Sequence, residues 1–325
     1  MLFFDAAAID AALSFPTLID VLEGYFKQGA ISPPRHHHHV PLADKPEATL
    51  LLMPAWQASA PGAETAGAFM GIKAVTVFPG NVASGQPAVY GTYVLLDGQT
   101  GAPLAVMDAT RLTTWRTGAA SALAARRLAR PDARRMAMIG AGALAPMLIR
   151  AHASVRPLRE VVIWNRSRPR AEALARDIAD TGLSIRLTDD LETAVRDADI
   201  VSTATLSTEP LVRGAWIKPG AHVDCVGAFK ASMRETDDDL VRRARIFVDT
   251  RAGAFGEAGD ILKPIRDGVI DKSAVLGDLY DLTRGTVAGR GSADEITMFK
   301  SVGASIEDLA AAVSVYDKRK LSKGP

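Results

Sequence analysis

Apolar residues recur at intervals of three to four along the N-terminal stretch of the chain. This spacing is that of one face of a helix, and it predicts a helix over residues 1–30. The pattern stops at Ser32-Pro33-Pro34, which ends a helix because proline has no backbone N–H to donate. The apolar positions are Ile9, Leu13, Leu18, Val21, Leu22 and Tyr25.

Shorter apolar runs follow, and residues that favour turns separate them. Phe78-Pro79-Gly80-Asn81 and the stretch 97–101 are typical of hairpin connections, so the runs predict antiparallel strands. The next stretch, 113–128, is rich in Ala and Leu and predicts one long helix that ends before Pro131. This part of the chain is therefore predicted to be a mostly antiparallel α+β domain. Its predicted strands are 49–53, 71–78, 90–96 and 104–107.

After residue 135 the pattern changes to short apolar strands that alternate with helical segments. Such alternation is typical of βαβ units, in which the strands are parallel and buried on both faces. It predicts an α/β domain with a doubly wound parallel sheet of the Rossmann type. The predicted strands are 136–139, 161–164, 185–187, 200–203, 222–226 and 246–248.

The last helix, predicted at 305–316, lies outside this alternation. We expect it to pack against the N-terminal part, which makes that domain discontinuous. The predicted domains are therefore 1–125 with 305–325, for substrate binding and dimerisation, and 126–304, for dinucleotide binding.

Charge and cysteine content exclude several classes of function. The 325 residues carry a formal net charge of +1, so no basic field favours nucleic acid or anionic lipid. Cys225 is the one cysteine, and its neighbours Val223 and Val226 predict a buried thiol in a reducing compartment. The N-terminus does not resemble a signal peptide, and no run approaches the roughly 18 apolar residues that span a bilayer. We expect a cytoplasmic protein.

A glycine-containing loop follows the first strand of the alternating region. Gly140-Ala141-Gly142-Ala143-Leu144-Ala145 fits the pattern G-x-G-x-x-A that opens a helix after a strand. Gly140 permits the tight turn, and Gly142 lets a pyrophosphate approach the free N–H groups of the helix N-terminus. Ala143 and Leu144 belong to this motif and are predicted to bind the cofactor with the two glycines. The sequence therefore predicts a dinucleotide site here.

The end of the second strand of this region indicates which dinucleotide is bound. Enzymes that use NAD usually have an acidic residue there, which binds the 2′-hydroxyl of the ribose. Here the strand ends in Asn165-Arg166-Ser167, with Arg168 and Arg170 nearby, and guanidinium groups pair well with a 2′-phosphate. NADPH is the predicted cofactor, with NADH as the alternative.

Several further motifs, in order and spacing over nearly the whole chain, resemble those of the ornithine cyclodeaminase/mu-crystallin family. Each motif is weak alone, but collinear motifs together are specific. They are Pro34-Arg35, Met53-Pro54-Ala55, Ile72-Lys73, Ala105-Val106-Met107-Asp108, residues 113–117 around Arg116, Trp164-Asn165-Arg166, Thr208-Glu209-Pro210, Lys218-Pro219-Gly220-Ala221-His222, Val226-Gly227-Ala228 and Phe299-Lys300-Ser301.

The resemblance implies roles for residues that the glycine loop does not identify. Arg35 is implied to bind the substrate carboxylate, with Lys73 beside it, and Arg116 to contact both substrate and cofactor. Lys73 and Arg116 are the implied catalytic residues. A basic cluster suits this role because Arg offers a planar pair of donors to a carboxylate and because neighbouring cations lower the pKa of a lysine. Thr205, Leu206, Val226 and Ser301 are implied to line the cofactor.

One departure from the family pattern bears on the reaction. Ornithine cyclodeaminases have an acid–base aspartate where this chain has Phe229, and a phenyl ring takes no proton. Members with a V-G-A-F-like segment followed by Met233-Arg234-Glu235 resemble reductases of cyclic imines. The resemblance thus implies a dimeric enzyme that uses NAD(P)H to reduce Δ1-pyrroline-2-carboxylate or Δ1-piperideine-2-carboxylate. An ornithine cyclodeaminase, an alanine- or opine-type dehydrogenase and a mu-crystallin-like ligand-binding protein stay open as alternatives.

Four consecutive histidines, His36 to His39, have no cysteine or clear carboxylate partner at metal-ligand spacing. We expect them to pack in a loop at the edge of the site and not to bind a metal.

Overall fold

The computed structural model describes residues 1–61 and 66–322. Contacts divide the chain into two compact units. The first unit comprises Met1–Arg116 and Ala304–Pro325, and the second comprises Thr117–Gly303. The division therefore falls inside a long helix, Ala109–Leu128, whereas we expected the first segment to continue to residue 125.

The N-terminal elements form a seven-stranded sheet in the order β1-β7-β6-β5-β4-β2, with β3 paired to β4. Only the β1–β7 pairing is parallel among these strands; the others are antiparallel, as predicted. The elements are β1 (Leu2–Phe4), α1 (Ala6–Ala12), α2 (Phe15–Gln28), β2 (Ala30–Ile31), β3 (His36–Val40), β4 (Ala48–Ala58), β5 (Ala66–Val77), β6 (Val89–Asp97), β7 (Pro103–Asp108) and α3 (Ala109–Leu128).

The prediction of one helix over residues 1–30 is wrong. The Asp5 side chain accepts a hydrogen bond from the Ala8 backbone N–H and so begins α1 after the short strand β1. Leu13 and Ser14 are extended, and Pro16 lies in the first turn of α2, where proline is tolerated. The apolar spacing is real because both helices use it to bury residues such as Ile9 and Leu22.

The expectation of a loop at His36 to His39 is also wrong. These residues form β3, which pairs antiparallel with β4 from His36 opposite Leu52 to Val40 opposite Ala48. All four histidine side chains are exposed, and His39 Nδ1 lies 2.6 Å from a carboxylate oxygen of Glu47.

The second unit contains an eight-stranded sheet in the order β10-β9-β8-β11-β12-β15-β13-β14, and every pairing in it is parallel. The Rossmann-type prediction is confirmed. The elements, continued to the C-terminal helix, are β8 (Arg135–Ile139), α4 (Ala145–Val155), β9 (Glu160–Trp164), α5 (Arg168–Asp177), β10 (Ser184–Leu187), α6 (Leu191–Arg196), β11 (Ile200–Thr203), β12 (His222–Cys225), α7 (Asp238–Arg243), β13 (Arg245–Val248), α8 (Arg251–Glu257), α9 (Gly259–Arg266), β14 (Val275–Asp278), α10 (Leu279–Arg284), β15 (Thr297–Lys300) and α11 (Ser305–Ser322).

Two strands of this sheet, β14 and β15, were not predicted. Strand β15 is inserted between β12 and β13, so it is buried on both faces although it contains Lys300. A short strand with a lysine gives no alternation by which the sequence could identify it. The strand order changes direction beside β8, because β9 lies on one side of it and β11 on the other. Ligands of such sheets bind at this switch point, beyond the carboxyl ends of the strands.

No helix among residues 1–61 and 66–322 is long and apolar enough to cross a membrane.

Candidate active site and dinucleotide site

Lys73 is buried in the sheet of the first unit. It lies on β5, opposite Met53 of β4 and Tyr93 of β6, so the three side chains share one face of the sheet. Lys73 is 3% exposed and Tyr93 is 1% exposed. A lysine this deeply buried needs a charged partner because desolvation otherwise disfavours its ammonium form.

The partner of Lys73 is an acidic residue from the other end of the chain. Lys73 Nζ lies 2.6 Å from Asp308 Oδ2, and Asp308 Oδ1 accepts a hydrogen bond of 3.1 Å from Arg116 Nε. Arg116 also donates to Glu307 Oε2 at 2.7 Å. Both carboxylates are fully buried in the first turn of α11. Asp308 therefore joins Lys73 and Arg116, two of the three cations that the sequence identified.

Burial lowers the pKa of Lys73 from 10.5 to about 8. The Asp308 carboxylate opposes this effect, whereas the charges of Arg116 and Arg35 add to it. Arg35 precedes β3 and is partly buried, and its charge is close enough to act on Lys73. The structure thus places Arg35, Lys73 and Arg116 in one electrostatic cluster of the first unit.

Sequence reasoning missed Glu307, Asp308 and Tyr93. A signal for the first two exists: the adjacent acidic residues lie in the first turn of a helix whose following stretch, Leu309–Val313, is apolar, Ala-rich and buried. The position of Tyr93 could not be identified because its hydroxyl is brought to the cluster only by strand pairing. That hydroxyl is buried without a hydrogen-bond partner, and burial raises its pKa well above the ordinary value.

The glycine loop of the second unit has the geometry that a pyrophosphate needs. Gly140 has a φ of 108°, and a side chain there would meet the carbonyl oxygen of Ala204 at 2.6 Å. At Gly142 the space that a Cβ would enter is open. Helix α4 begins at Ala145 with Leu144 as its N-cap, which supplies no side-chain hydrogen bond. The first N–H groups of α4 are therefore not capped by the Leu144 side chain, and the residues fit an anionic group.

Asn165 connects the end of β9 to this loop. Its Oδ1 accepts a hydrogen bond from the Ala141 N–H at 3.2 Å, and its Nδ2 donates to the Ser167 carbonyl at 2.8 Å. Ser167 is the N-cap residue of α5, and the side chains of Arg166 and Arg170 are exposed. No carboxylate occupies the end of β9, so the local charge suits a phosphate.

The remaining predicted cofactor residues lie at the carboxyl ends of three adjacent strands, β11, β12 and β15. Thr205 and Leu206 follow β11, and Leu206 is 71% exposed. Val226 follows β12 and is buried. Ser301 follows β15, and its N–H donates to the Cys225 carbonyl at 3.1 Å. Parallel strands bring these loops to the same edge as the glycine loop.

Phe229 lies in the loop after β12 and is 37% exposed. Its N–H donates to the Gly227 carbonyl at 2.8 Å. A phenyl ring at this edge offers apolar contact and has no proton to exchange.

A second group of polar residues, in the interior of the second unit, resembles a catalytic triad but is fully buried. Asp224 accepts hydrogen bonds from Ser121 and Ser202 at 2.9 and 2.8 Å, and its Oδ2 lies 3.0 Å from His152 Nε2. Burial would raise the pKa of Asp224, but the His152 hydrogen bond and charge outweigh it and hold the pKa below the usual range. All four residues are fully buried, so this is a core network. Within the part of the chain that the structure describes, no group of three or more His, Cys, Asp or Glu side chains is placed to hold a metal ion.

The chain is similar to known proteins in both sequence and structure. The chain is 44% identical over 243 residues to a Δ1-pyrroline-2-carboxylate reductase of Paracoccus denitrificans, which covers 74% of this chain and 77% of that protein. The structure of the Thermococcus litoralis Δ1-pyrroline-2-carboxylate reductase, in complex with NADH and L-proline, matches with a TM-score of 0.90 and 32% identity, over 99% of this chain and 98% of that chain. An archaeal alanine dehydrogenase dimer with bound NAD matches with a TM-score of 0.87 and 31% identity, over 100% of this chain and 97% of that chain.

The family model agrees with these individual matches. The model of the ornithine cyclodeaminase/mu-crystallin family matches residues 3–323, which is nearly the whole chain. The motifs that suggested this family therefore belong to one continuous similarity. The chain is a member of the ornithine cyclodeaminase/mu-crystallin family.

Proposed function

We propose that this protein uses NAD(P)H to reduce a cyclic ketimine 2-carboxylate, with Δ1-pyrroline-2-carboxylate giving L-proline and Δ1-piperideine-2-carboxylate giving L-pipecolate. The observation that carries this proposal is the buried cluster in which Asp308 joins Lys73 to Arg116. The Paracoccus and Thermococcus relatives, both Δ1-pyrroline-2-carboxylate reductases, support the same reaction class.

The charges of this cluster suit a substrate with one carboxylate. In their ionised forms Arg35, Lys73 and Arg116 contribute +3, and Glu307 and Asp308 contribute −2, which leaves +1. Arg35 would bind the carboxylate through its planar pair of donors. Lys73 and Arg116 are fixed by Asp308, so they would bind the substrate without losing much side-chain freedom.

The dinucleotide supplies a hydride when it is bound. The role of the protein residues is to hold the imine in one orientation and to control its proton, and orientation alone accounts for a large part of such rate enhancements. Lys73, with a pKa of about 8, carries a proton at neutral pH and can release it near that pH. We therefore propose that Lys73 donates the proton to the imine nitrogen. Arg116 would keep the carboxylate and the imine in place relative to Lys73.

We propose NADPH as the preferred cofactor and a cytoplasmic homodimer as the working form. Arg166 and Arg170, with no acidic residue at the end of β9, favour the 2′-phosphate of NADPH. The glycine loop binds the pyrophosphate of either cofactor. The archaeal alanine dehydrogenase is a dimer, and this supports the same assembly here.

An alanine-type dehydrogenase is the second candidate because the archaeal alanine dehydrogenase is similar over the whole chain. Its substrates would be an open-chain 2-oxo acid and ammonia. The deciding assay is NADPH or NADH oxidation with both cyclic imines, compared with pyruvate plus ammonia. We expect turnover with at least one cyclic imine and much less with pyruvate; the reverse order would replace our proposal by the second candidate.

Ornithine cyclodeaminase activity is tested in the same preparation by ammonia release from L-ornithine in the presence of NAD. We expect none, because Phe229 supplies no acid–base group where the cyclodeaminases have an aspartate. Ammonia release comparable to imine reduction would show that another residue does that work. A mu-crystallin-like binding protein would bind NADPH without oxidising it in any of these assays.

A further inference from the structure

A single carboxylate, that of Glu235, accepts five hydrogen bonds in the interior of the second unit. Its Oε1 accepts from the N–H and the hydroxyl of Thr205, at 2.7 and 2.8 Å. Its Oε2 accepts from the Thr203 hydroxyl at 2.9 Å and from the N–H groups of Gly227 and Ala228, at 2.7 and 3.2 Å. Glu235 is fully buried, and every donor lies at or just beyond the carboxyl end of β11 or β12.

These donors come from two adjacent strands. Thr203 ends β11 and Thr205 follows it, whereas Gly227 and Ala228 follow β12, which pairs with β11. The loop after β12 closes tightly on the carboxylate, because a Cβ at Gly227 would lie 2.4 Å from Glu235 Oε1 and 2.2 Å from the Thr205 carbonyl oxygen. Glu235 therefore fixes the distance between the two loops.

Two more buried charges hold Glu235 itself. Asp260 Oδ1 accepts hydrogen bonds from the N–H groups of Glu235 and Thr236, at 2.8 and 3.0 Å. Asp260 Oδ2 lies 3.5 Å from the Nζ of Lys300, the last residue of β15, which pairs with β12. Asp260 and Lys300 are fully buried too. The cluster Glu235–Asp260–Lys300 thus connects the carboxyl ends of β11, β12 and β15.

Stability alone does not account for such a cluster. The polar groups of Glu235, Asp260 and Lys300 lose their hydration here, and apolar residues of similar volume often give a fold of equal or greater stability. These groups do hold the loops in position, because each hydrogen bond restrains one backbone N–H or hydroxyl group of the loops after β11 and β12. The loops so fixed contain Thr205, Leu206 and Val226, and Ser301 follows Lys300 directly.

The sheet topology indicates which part of a dinucleotide these loops would contact. In a doubly wound sheet each half binds one mononucleotide, and the half with the glycine loop binds the adenosine side. Here that half is β8, β9 and β10, and the other half begins with β11 on the far side of β8. The Ala204 carbonyl lies against Gly140, so the loop after β11 also borders the glycine loop.

We propose that Glu235, held by Asp260 and Lys300, is the positioning residue for the nicotinamide half of the cofactor. It acts through the loops that follow β11 and β12 and does not itself touch the ligand. This inference rests on the proposed dinucleotide cofactor, and it is independent of which imine or oxo acid is reduced.

The test is Glu235→Gln, measured by titration calorimetry without any imine. In either orientation the Gln amide nitrogen faces donors, so at least one buried N–H loses its acceptor. The ligands are NADPH, NADH and ADP, which is the adenosine and pyrophosphate part that both cofactors contain. We expect the Kd of the better dinucleotide to rise by about tenfold or more and the Kd of ADP to change by less than about twofold.

The matched control is Glu209→Gln, which changes an exposed carboxylate in the loop after β11 and should alter neither Kd. If Glu235→Gln weakens the binding of the dinucleotide and of ADP equally, or weakens the binding of neither, the positioning role is overturned. Failure of the imine assay alone would leave this result intact, because the titration contains no substrate.

A second variant guards against loss of folding. Thr203→Val removes one hydroxyl from the Glu235 carboxylate and keeps the side-chain shape. We expect it to fold and to raise the dinucleotide Kd by about threefold, with that of ADP unchanged. Equal Kd values for Thr203→Val and the unmodified protein would overturn the proposal even if Glu235→Gln does not fold.

Discussion

The carboxylate of Asp308 lies 2.6 Å from the ammonium group of Lys73, with side chains that are 0% and 4% exposed. Because Asp308 also accepts a hydrogen bond from Arg116, one acidic side chain sets both the position of two candidate catalytic cations and the proton affinity of one of them. The activity of this protein should therefore depend on Asp308 as much as on the cations.

In Asp308→Asn, the alkaline limb of the pH profile of imine reduction should move to lower pH. Lys73 is proposed to act in its protonated form, so activity should fall as the pH rises through the Lys73 pKa of about 8. The Asp308 charge raises that pKa, and its removal should move the alkaline limb of kcat down by about one pH unit or more. Asp317→Asn, an exposed residue of the same helix, is the control. An unchanged alkaline limb would mean that Lys73 is not the proton donor.

Lys73→Met and Arg35→Ala should affect different kinetic constants. Lys73 is proposed to supply the proton to the imine nitrogen, so its replacement should reduce kcat. Arg35 is proposed to hold the carboxylate equally in the ground and transition states, so its loss should mainly raise KM for the imine. Steady-state reduction of Δ1-pyrroline-2-carboxylate by each variant gives both constants. Lys27→Met, on the exposed side of α2, is the control, and a near-normal kcat in Lys73→Met would assign the lysine a structural role.

Arg166→Ala should weaken the binding of NADPH and leave the binding of NADH nearly unchanged. A charged hydrogen bond to the 2′-phosphate contributes about 1.5–3 kcal/mol, and NADH has no such phosphate. Titration of both cofactors against the variant measures the difference. Arg176→Ala, at the exposed C-terminal end of α5, should change neither affinity. Equal losses for the two cofactors would remove Arg166 from the phosphate site.

His222→Gln should make the fold less sensitive to acid. Burial lowers the pKa of His222 from 6.5 to about 3, although the Asp224 charge opposes this. Below pH 6.5 the unfolded chain therefore binds a proton that the folded chain does not, and stability falls as the pH drops from 6.5 towards 3. Between pH 7 and pH 5, His222 should lower the free energy of unfolding by about 2 kcal/mol.

The measurement is the free energy of unfolding in urea at the two pH values. The difference between them should shrink by this amount in His222→Gln and stay unchanged in His37→Gln, which alters an exposed histidine of β3. An equal pH dependence in all three proteins would show that His222 titrates normally in the folded state.

Local sequence was enough to predict the elements that carry their own pattern. The strands β8, β9 and β11, with the loop from Gly140 to Ala145, were predicted because alternation and a glycine turn are properties of neighbouring residues. The extended break at Leu13–Ser14 between α1 and α2, and the strand β1, were missed. The three residues of β1 are too few to show a period. They form a strand by pairing with Ala105–Met107 of β7, which is distant in the sequence.

The sequence by itself determined the family, the parallel sheet, the glycine loop and the basic residues Arg35, Lys73 and Arg116. Only the tertiary structure decided their partners. Asp308 reaches Arg116 from 192 positions away, and β15 enters the sheet between β12 and β13, which brings Lys300 to Asp260. The physical reason is that a buried charge is stable only beside its counter-charge, and which counter-charge is near depends on how distant strands and helices pack.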